Sequence, residues 1–374
     1  MNLVCLSPNG VDSYRLAEPP DAVLVATMDG VVRLKKSAAA GPWLADAAAL
    51  KGLHVSSLMR EPGQGMVFAG IHGTGLYRSR DNGATWESAS TGIDHGHVFT
   101  LACRDTENGV ELYAGTEPAH LYRSTDLGEH WRELPGIRTV PSLDQWNFPA
   151  PPFQPHVKHV AFDPRDRQII YVCIEQGAVL KSDDGGETFR ELHFQDETYA
   201  LNQDTHRIIF NPRNPDEIFL PGGDGISTSR DAGQHWRHLT TPKMRVAYPD
   251  HFYVAPDEEH RLFAAGGGDP PNIWRETGTA HSAIVTSRDN GESWTQILGG
   301  LPEELAGNIE AVTMAQWPGG YGFFAGTTDG DIFASVDRGD TWRCIAGGLA
   351  AVSKCVHARN LAMGRAKVRE RTTA

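Results

Sequence analysis

One octad, Ser-x-Asp-x-Gly-x-x-aromatic, recurs six times along the 374-residue chain. It occupies residues 79–86 (SRDNGATW), 124–131 (STDLGEHW), 182–189 (SDDGGETF), 229–236 (SRDAGQHW), 287–294 (SRDNGESW) and 335–342 (SVDRGDTW). The central aspartates, Asp81, Asp126, Asp184, Asp231, Asp289 and Asp337, are separated by 45, 58, 47, 58 and 48 residues. Self-similarity at a period near 50 residues marks a repeat architecture, in which each unit buries its apolar face against its neighbours. Within the octad the Asp side chain can bond nearby backbone N–H groups, Gly supplies positive φ, and the aromatic anchors the next strand. These features describe a hairpin turn, and they assign its aspartates to structure, away from any active site.

Each octad follows a short apolar strand, such as Leu76-Tyr77 or Val179-Leu180, and two further strands precede it, such as 54–59 and 66–70. Four strands in about 50 residues make a propeller blade. A seventh, worn unit lies upstream, with strands at 22–27 and 31–34 and Trp43 at blade spacing from Trp86. The expected fold is all-β: one seven-bladed β-propeller with four-stranded antiparallel blades, spanning residues 1–374. Blade one covers about 20–50 and blades two to seven about 52–348. The segment 351–358 is expected to supply blade one's innermost strand and close the ring, leaving a basic tail at 360–374.

Composition fits this picture. Forty Gly and 23 Pro punctuate many short strands, and 40% hydrophobic residues suffice for a core. The net charge of −13 argues against nucleic-acid binding, and the absence of 18 consecutive apolar residues argues against a membrane span. The first residues carry no leader pattern, and Cys5, Cys103, Cys173, Cys344 and Cys355 are widely spaced within apolar runs. These features lead us to expect buried thiols in a reducing compartment, with the cytoplasm as location.

In a four-stranded blade the start of the inner strand and the turn after the second strand share one face, and the octads lie on the other. His54, His97 and His156 occupy the same inner-strand slot in three successive blades. His206 (preceded by Asp204) and His251 (after Asp250) continue the series with a register open by one or two residues, and Asn308 and Glu310 stand in blade seven. Imidazoles from different blades converging on an axis could hold a divalent metal such as Zn, Mn or Fe. The second-strand turns add His72, Glu117, His120, Glu175, Asp224, Asp269 and Asp329. Glu117 and Glu175 occupy matching slots and, with His120, are candidates for proton transfer or ligand orientation. Insertions at 135–155, with Trp146 and Phe148, and at 266–283, with Trp274 and His281, are expected to build a pocket or lid on this face. His72, Trp146, Asp224, Asp269, Trp274 and His281 are the candidate substrate contacts.

The octads match the Asp-box, or BNR, repeat, and the whole chain resembles the bacterial BNR-repeat proteins labelled glycosyl hydrolase or exo-sialidase. It is also similar in its repeats to xyloglucanases, sortilin-type receptors and photosystem II assembly factors. The resemblance implies a propeller and a carbohydrate-like ligand, but the sialidase pattern of Phe/Tyr-Arg-Ile-Pro is met only by Tyr14-Arg15-Leu16-Ala17. That departure, with no Arg at matching channel slots in three blades, argues against sialidase activity. Other seven-bladed propellers, the oligogalacturonate lyases and carotenoid oxygenases, hold a metal in an axial histidine cluster, an analogy between folds. Three readings follow: a metal-dependent hydrolase or lyase on a small polar or carbohydrate-like substrate, a non-catalytic scaffold for a protein partner, and a metal-independent glycosidase.

Overall fold

The computed structural model describes residues 1–38, 41–192, 204–241, 243–354 and 356–373. Seven sheets of four strands, one extended by a fifth, make seven blades of an all-β propeller. Two helices accompany them, α1 (Pro271–Thr277) and α2 (Val356–Thr373). No helix among the described residues is long and apolar enough to cross a membrane. Within blades two to seven, sequential strands pair antiparallel, as in Leu101↔Ala114 and Leu112↔Ser124 of blade three.

The octads form one turn. Ser79 Oγ donates to Asp81 Oδ1 (2.8 Å) and accepts from the Gly83 N–H (2.8 Å), while Asp81 accepts from the Thr85 N–H and hydroxyl. The same Ser–Asp pairing recurs at Ser124, Ser182, Ser229, Ser287 and Ser335. The residue before the Gly is left-handed too, even where it is Leu127, Ala232 or Arg338 (φ 57°, 57° and 63°). Such a conformation costs a side-chain-bearing residue roughly 1 kcal/mol or more, offset here by four to six hydrogen bonds to the Ser and Asp. The turns also join blades: Arg33, Arg78 and Arg123 each donate to the backbone carbonyl of the next blade's turn, at Asn82, Leu127 and Gly185.

Ring closure differs from the sequence expectation. The inner strand of blade one is β1 (Leu3–Leu6), running parallel to β3 (Ala22–Thr27), and not the segment 351–358. Leu-Val-Cys-Leu is wholly apolar and fully buried, whereas 351–358 carries Ser353, Lys354 and His357, which are drawn onto the axis by buried acids. The expected tail at 360–374 falls within α2 for residues 360–373, and α2 packs on α1 through Trp274 and Leu361.

After β1 the chain forms a strap across the channel at mid-height. Ser7 bonds Leu58 of blade two, the Asn9 carbonyl accepts from Thr100 of blade three, and Asp12 pairs with His159 and Arg207 of blades four and five. Then β2 (Ser13–Arg15) adds in parallel to the inner strand of blade seven. The channel is thereby split into two halves. Cys5 and Cys173 are buried and Cys103 is partly so, but Cys344 is exposed on an outer strand, against expectation; Cys355 lies outside the described residues.

Candidate functional site

Inner strands of blades two to four begin at the mouth opposite the octads, so His54, His97 and His156 converge there, as the repeat alignment requires. The turn after blade two's second strand brings His72 between His54 and His97, with ring centroids 5.2 and 3.9 Å away. Glu117, opposite His97 in the blade-three ladder, stands 3.4 Å from His97 Nδ1 and 3.4 Å from His156 Nδ1. His97 Nδ1, Glu117 Oε1 and His156 Nδ1 are all shielded from solvent, and none has a hydrogen-bond partner. His72, His97 and Glu117 present ligand atoms within 4.8 Å of one another. A cavity of about 40 Å³ lies at this point, walled by His72, Phe99, Glu117 and His156 and covered by Pro151, Pro152, Lys354 and Arg359.

Electrostatics favour a ligating state. Burial, then the neighbouring His97 and His54, bring the His72 pKa down to about 4, so its imidazole is neutral at neutral pH. Burial also lowers His54. Burial alone would raise Glu117, but His156, His72 and His97 outweigh it and keep the carboxyl ionised. Imidazoles around one carboxylate are a donor set for a borderline divalent metal. His156 is aimed by its other nitrogen, Nε2, which bonds Glu175 at 2.7 Å, the arrangement that fixes ring orientation in metal-ligating histidines.

Deeper on the axis lies a charge network that sequence reasoning missed in part. Glu175 contacts Lys158 (3.2 Å) and Lys354 (3.1 Å) as well as His156, and Lys354 also meets Asp250 (3.4 Å). Glu310 accepts from the Lys354 N–H and faces His357 at 3.4 Å. Desolvation works against a charged Glu175, yet the two ammonium groups and His156 pull it well below the usual carboxylate range. Lys158 is pushed down to about 8, by burial first. Glu175 is thus an anion locked among cations, an arrangement that suits the orienting role among the two expected of it rather than proton transfer. Lys158 stands two residues after His156 in a strand of otherwise apolar or imidazole side chains, a signal the sequence did offer; nothing local marks Lys354.

The other expected residues disperse. His120 is bonded to Glu133 (2.6 Å) and Arg138 (3.0 Å), with its ring 3.9 Å from that of His95, and is not among the walls of the mouth cavity, so the structure does not bring it to the catalytic place expected of it. His206 bonds the Pro249 carbonyl (2.8 Å) and Asp204 (3.3 Å), within a second grouping with Glu175. His251 is buried against the Glu310 carbonyl (3.1 Å) and pushed well below its usual pKa by burial and Arg207, and His54 bonds the Ser353 carbonyl. Trp274 is fully buried between α1, Tyr248 and His357 and donates to the Asp269 carbonyl, while Trp146 is buried and donates to Ser142. Both are loop anchors, not ligand platforms. His281 lies 3.4 Å from Glu304, away from the mouth. Asp224 does line a cleft of about 320 Å³ beside the mouth, with Gln176, Asp204, Tyr248 and Arg275. Phe148 and Val356 form walls common to the cleft and the mouth cavity.

A family model described as sortilin, neurotensin receptor 3, matches residues 177–302, from blade four into blade six. No curated protein matches the chain. Among solved structures, an ancestral GH74 enzyme is 17% identical with a TM-score of 0.60, over 79% of this chain and 39% of that one. The structure of YCF48 bound to a D1 peptide is 19% identical with a TM-score of 0.45, over 74% and 78%. A GH74 enzyme of Niastella koreensis is 14% identical with a TM-score of 0.42, over 89% and 56%. The chain therefore spans well under half of the ancestral GH74 enzyme. At this identity the likeness is one of fold: a seven-bladed β-propeller.

Proposed function

We propose that this protein is an Asp-box propeller that binds one divalent metal ion at its channel mouth and uses it in hydrolytic or lyase chemistry on a small polar or carbohydrate-like substrate. The observation that carries the reading is the grouping of His72, His97 and Glu117, whose ligand atoms lie within 4.8 Å of one another, with His97 Nδ1, Glu117 Oε1 and the nearby His156 Nδ1 buried and without hydrogen-bond partners. Leaving such groups unpaired costs roughly 1–3 kcal/mol each, a penalty that an ion would remove. His72, His97, His156 and Glu117 would hold the metal, and Glu175 would orient His156. A metal there supplies Lewis acidity and an acidified water. The adjoining cleft, with Asp204, Asp224 and Gln176 on its walls, offers the substrate its polar contacts. The Asp-box assignment rests on the six octads, and the carbohydrate-like substrate on the family resemblance.

The test is metal content in protein purified without an affinity tag and exposed to Zn(II), Mn(II) or Fe(II). We expect close to one equivalent in the wild type and less than a tenth of that in a His97→Ala/His156→Ala variant with intact circular dichroism. Substoichiometric metal, or a double variant that keeps its metal, would sink the proposal. The tight mouth cavity favours one alternative: a metal-bearing, non-catalytic scaffold, for which the ion would be retained with no turnover on any substrate.

A further inference from the structure

The strap divides the channel, and the half that opens on the octad face is a separate, blind cavity of about 490 Å³. That volume is in the range of small-molecule sites. Its walls are mostly apolar, including Leu101, Val160, Phe162, Phe210 and Met314. Its floor is Asp12, whose carboxylate oxygens each accept one bond, from Arg207 and from His159 Nε2 (2.8 Å). A carboxylate oxygen has room for a second donor, and the Asp12 side chain lines this space with 21% exposure although its partners His159 and Arg207 are buried. Arg207 and His159 hold its pKa far below the usual range against the effect of burial, so it stays an acceptor at any working pH.

Along β2 side chains alternate. Tyr14 turns into the core, while Ser13 and Arg15 face the cavity. Arg15 is exposed and makes no ion pair among the described residues. It lies three positions along the chain from Asp12, a span of at most roughly 10 Å. The cavity thus has an acceptor at its closed end, apolar walls and an unpaired guanidinium at its rim.

We propose that this half-channel is a binding site for an apolar-bodied monocarboxylate with a hydrogen-bond donor at its far end, such as a hydroxyaryl alkanoate. The donor reaches Asp12, the ring lies against Phe162 and Phe210, and the carboxylate pairs with Arg15. This site is independent of the metal reading, since it lies across the strap from the histidines. Titration of the full chain, labelled with ¹³C at its methionine methyls, with 3-(4-hydroxyphenyl)propionate tests it. We expect saturable binding with a shifted Met314 resonance. The methyl ester and the dehydroxylated 3-phenylpropionate should each bind about tenfold or more weakly, because each forfeits one charge-assisted bond. Arg15→Gln, a change at an exposed position, should weaken the acid similarly and leave the ester unchanged. Absence of binding at millimolar acid, binding without movement of Met314, equal binding of the ester or of the dehydroxylated acid, or an Arg15→Gln variant that binds the acid as well as wild type does would each overturn the proposal.

Discussion

His72 shows how a surface-turn residue becomes a ligand candidate. Set between the rings of His54 and His97 and facing Glu117, it resists protonation until about pH 4, against an unperturbed value near 6.5. The folded state therefore binds fewer protons than the unfolded state between those values, so stability falls as pH is lowered through that window and is fully present above it. We expect the melting temperature of the metal-free protein to fall by several degrees between pH 6.5 and pH 4. A His72→Gln variant should lose less over the same interval; a parallel loss in both would show that His72 contributes nothing to the slope. In the sequence the residue was legible as a turn position on the histidine face and a candidate substrate contact, not as a metal ligand. Its neutral state depends on neighbours from three blades.

At the scale of elements, β1 does the work expected of the C-terminal segment, and the strap that follows it ties the ring together. Without residues 1–15, blade one would lose its inner strand and leave the buried backbone edge of Ala22–Thr27 unpaired, while Arg207 would lose Asp12. An exposed apolar strand edge invites aggregation, and a buried cation without its partner costs about 3–5 kcal/mol. A chain lacking residues 1–15 is expected to lose its near-ultraviolet circular dichroism and its cooperative melt. Retention of both would show that the ring closes without the strap. The octad turns, by contrast, were readable, because the bonds of their Ser and Asp side chains lie within eight consecutive residues. The lids differ again: Trp146 and Trp274, candidate substrate contacts in the sequence, prove to be anchors, since each donates its indole N–H within its own loop and packs its ring against blade residues and, for Trp274, against α2.

For the whole molecule, the division of the channel is the main consequence. One half is filled by a charged network and lined at its mouth by histidines; the other is blind and apolar-walled. Residues 7–12 lie between them and bond to inner strands around most of the ring. Chelation of metal from the histidine mouth should thus leave the affinity of the octad-face cavity for 3-(4-hydroxyphenyl)propionate within twofold. A larger change, measured calorimetrically with and without chelator, would mean that the strap couples the two halves.

Six near-identical octads, with three strands before each, and a worn seventh unit upstream determined the seven-bladed ring and the face on which the histidines gather, because those features are set by contacts local in sequence and repeated. Glu117, His97 and His156 were within reach of that reading, since blade topology alone brings their slots together. The strap, the inverted inner strand, the insertion of Lys354 among Glu175, Asp250 and Glu310, and the displacement of His120 were not. Each depends on which of several remote partners a charged or apolar group meets, and desolvation inside a closed ring decides that choice. Lys354 becomes an axial cation only because three buried acids from blades four, six and seven leave it no better place.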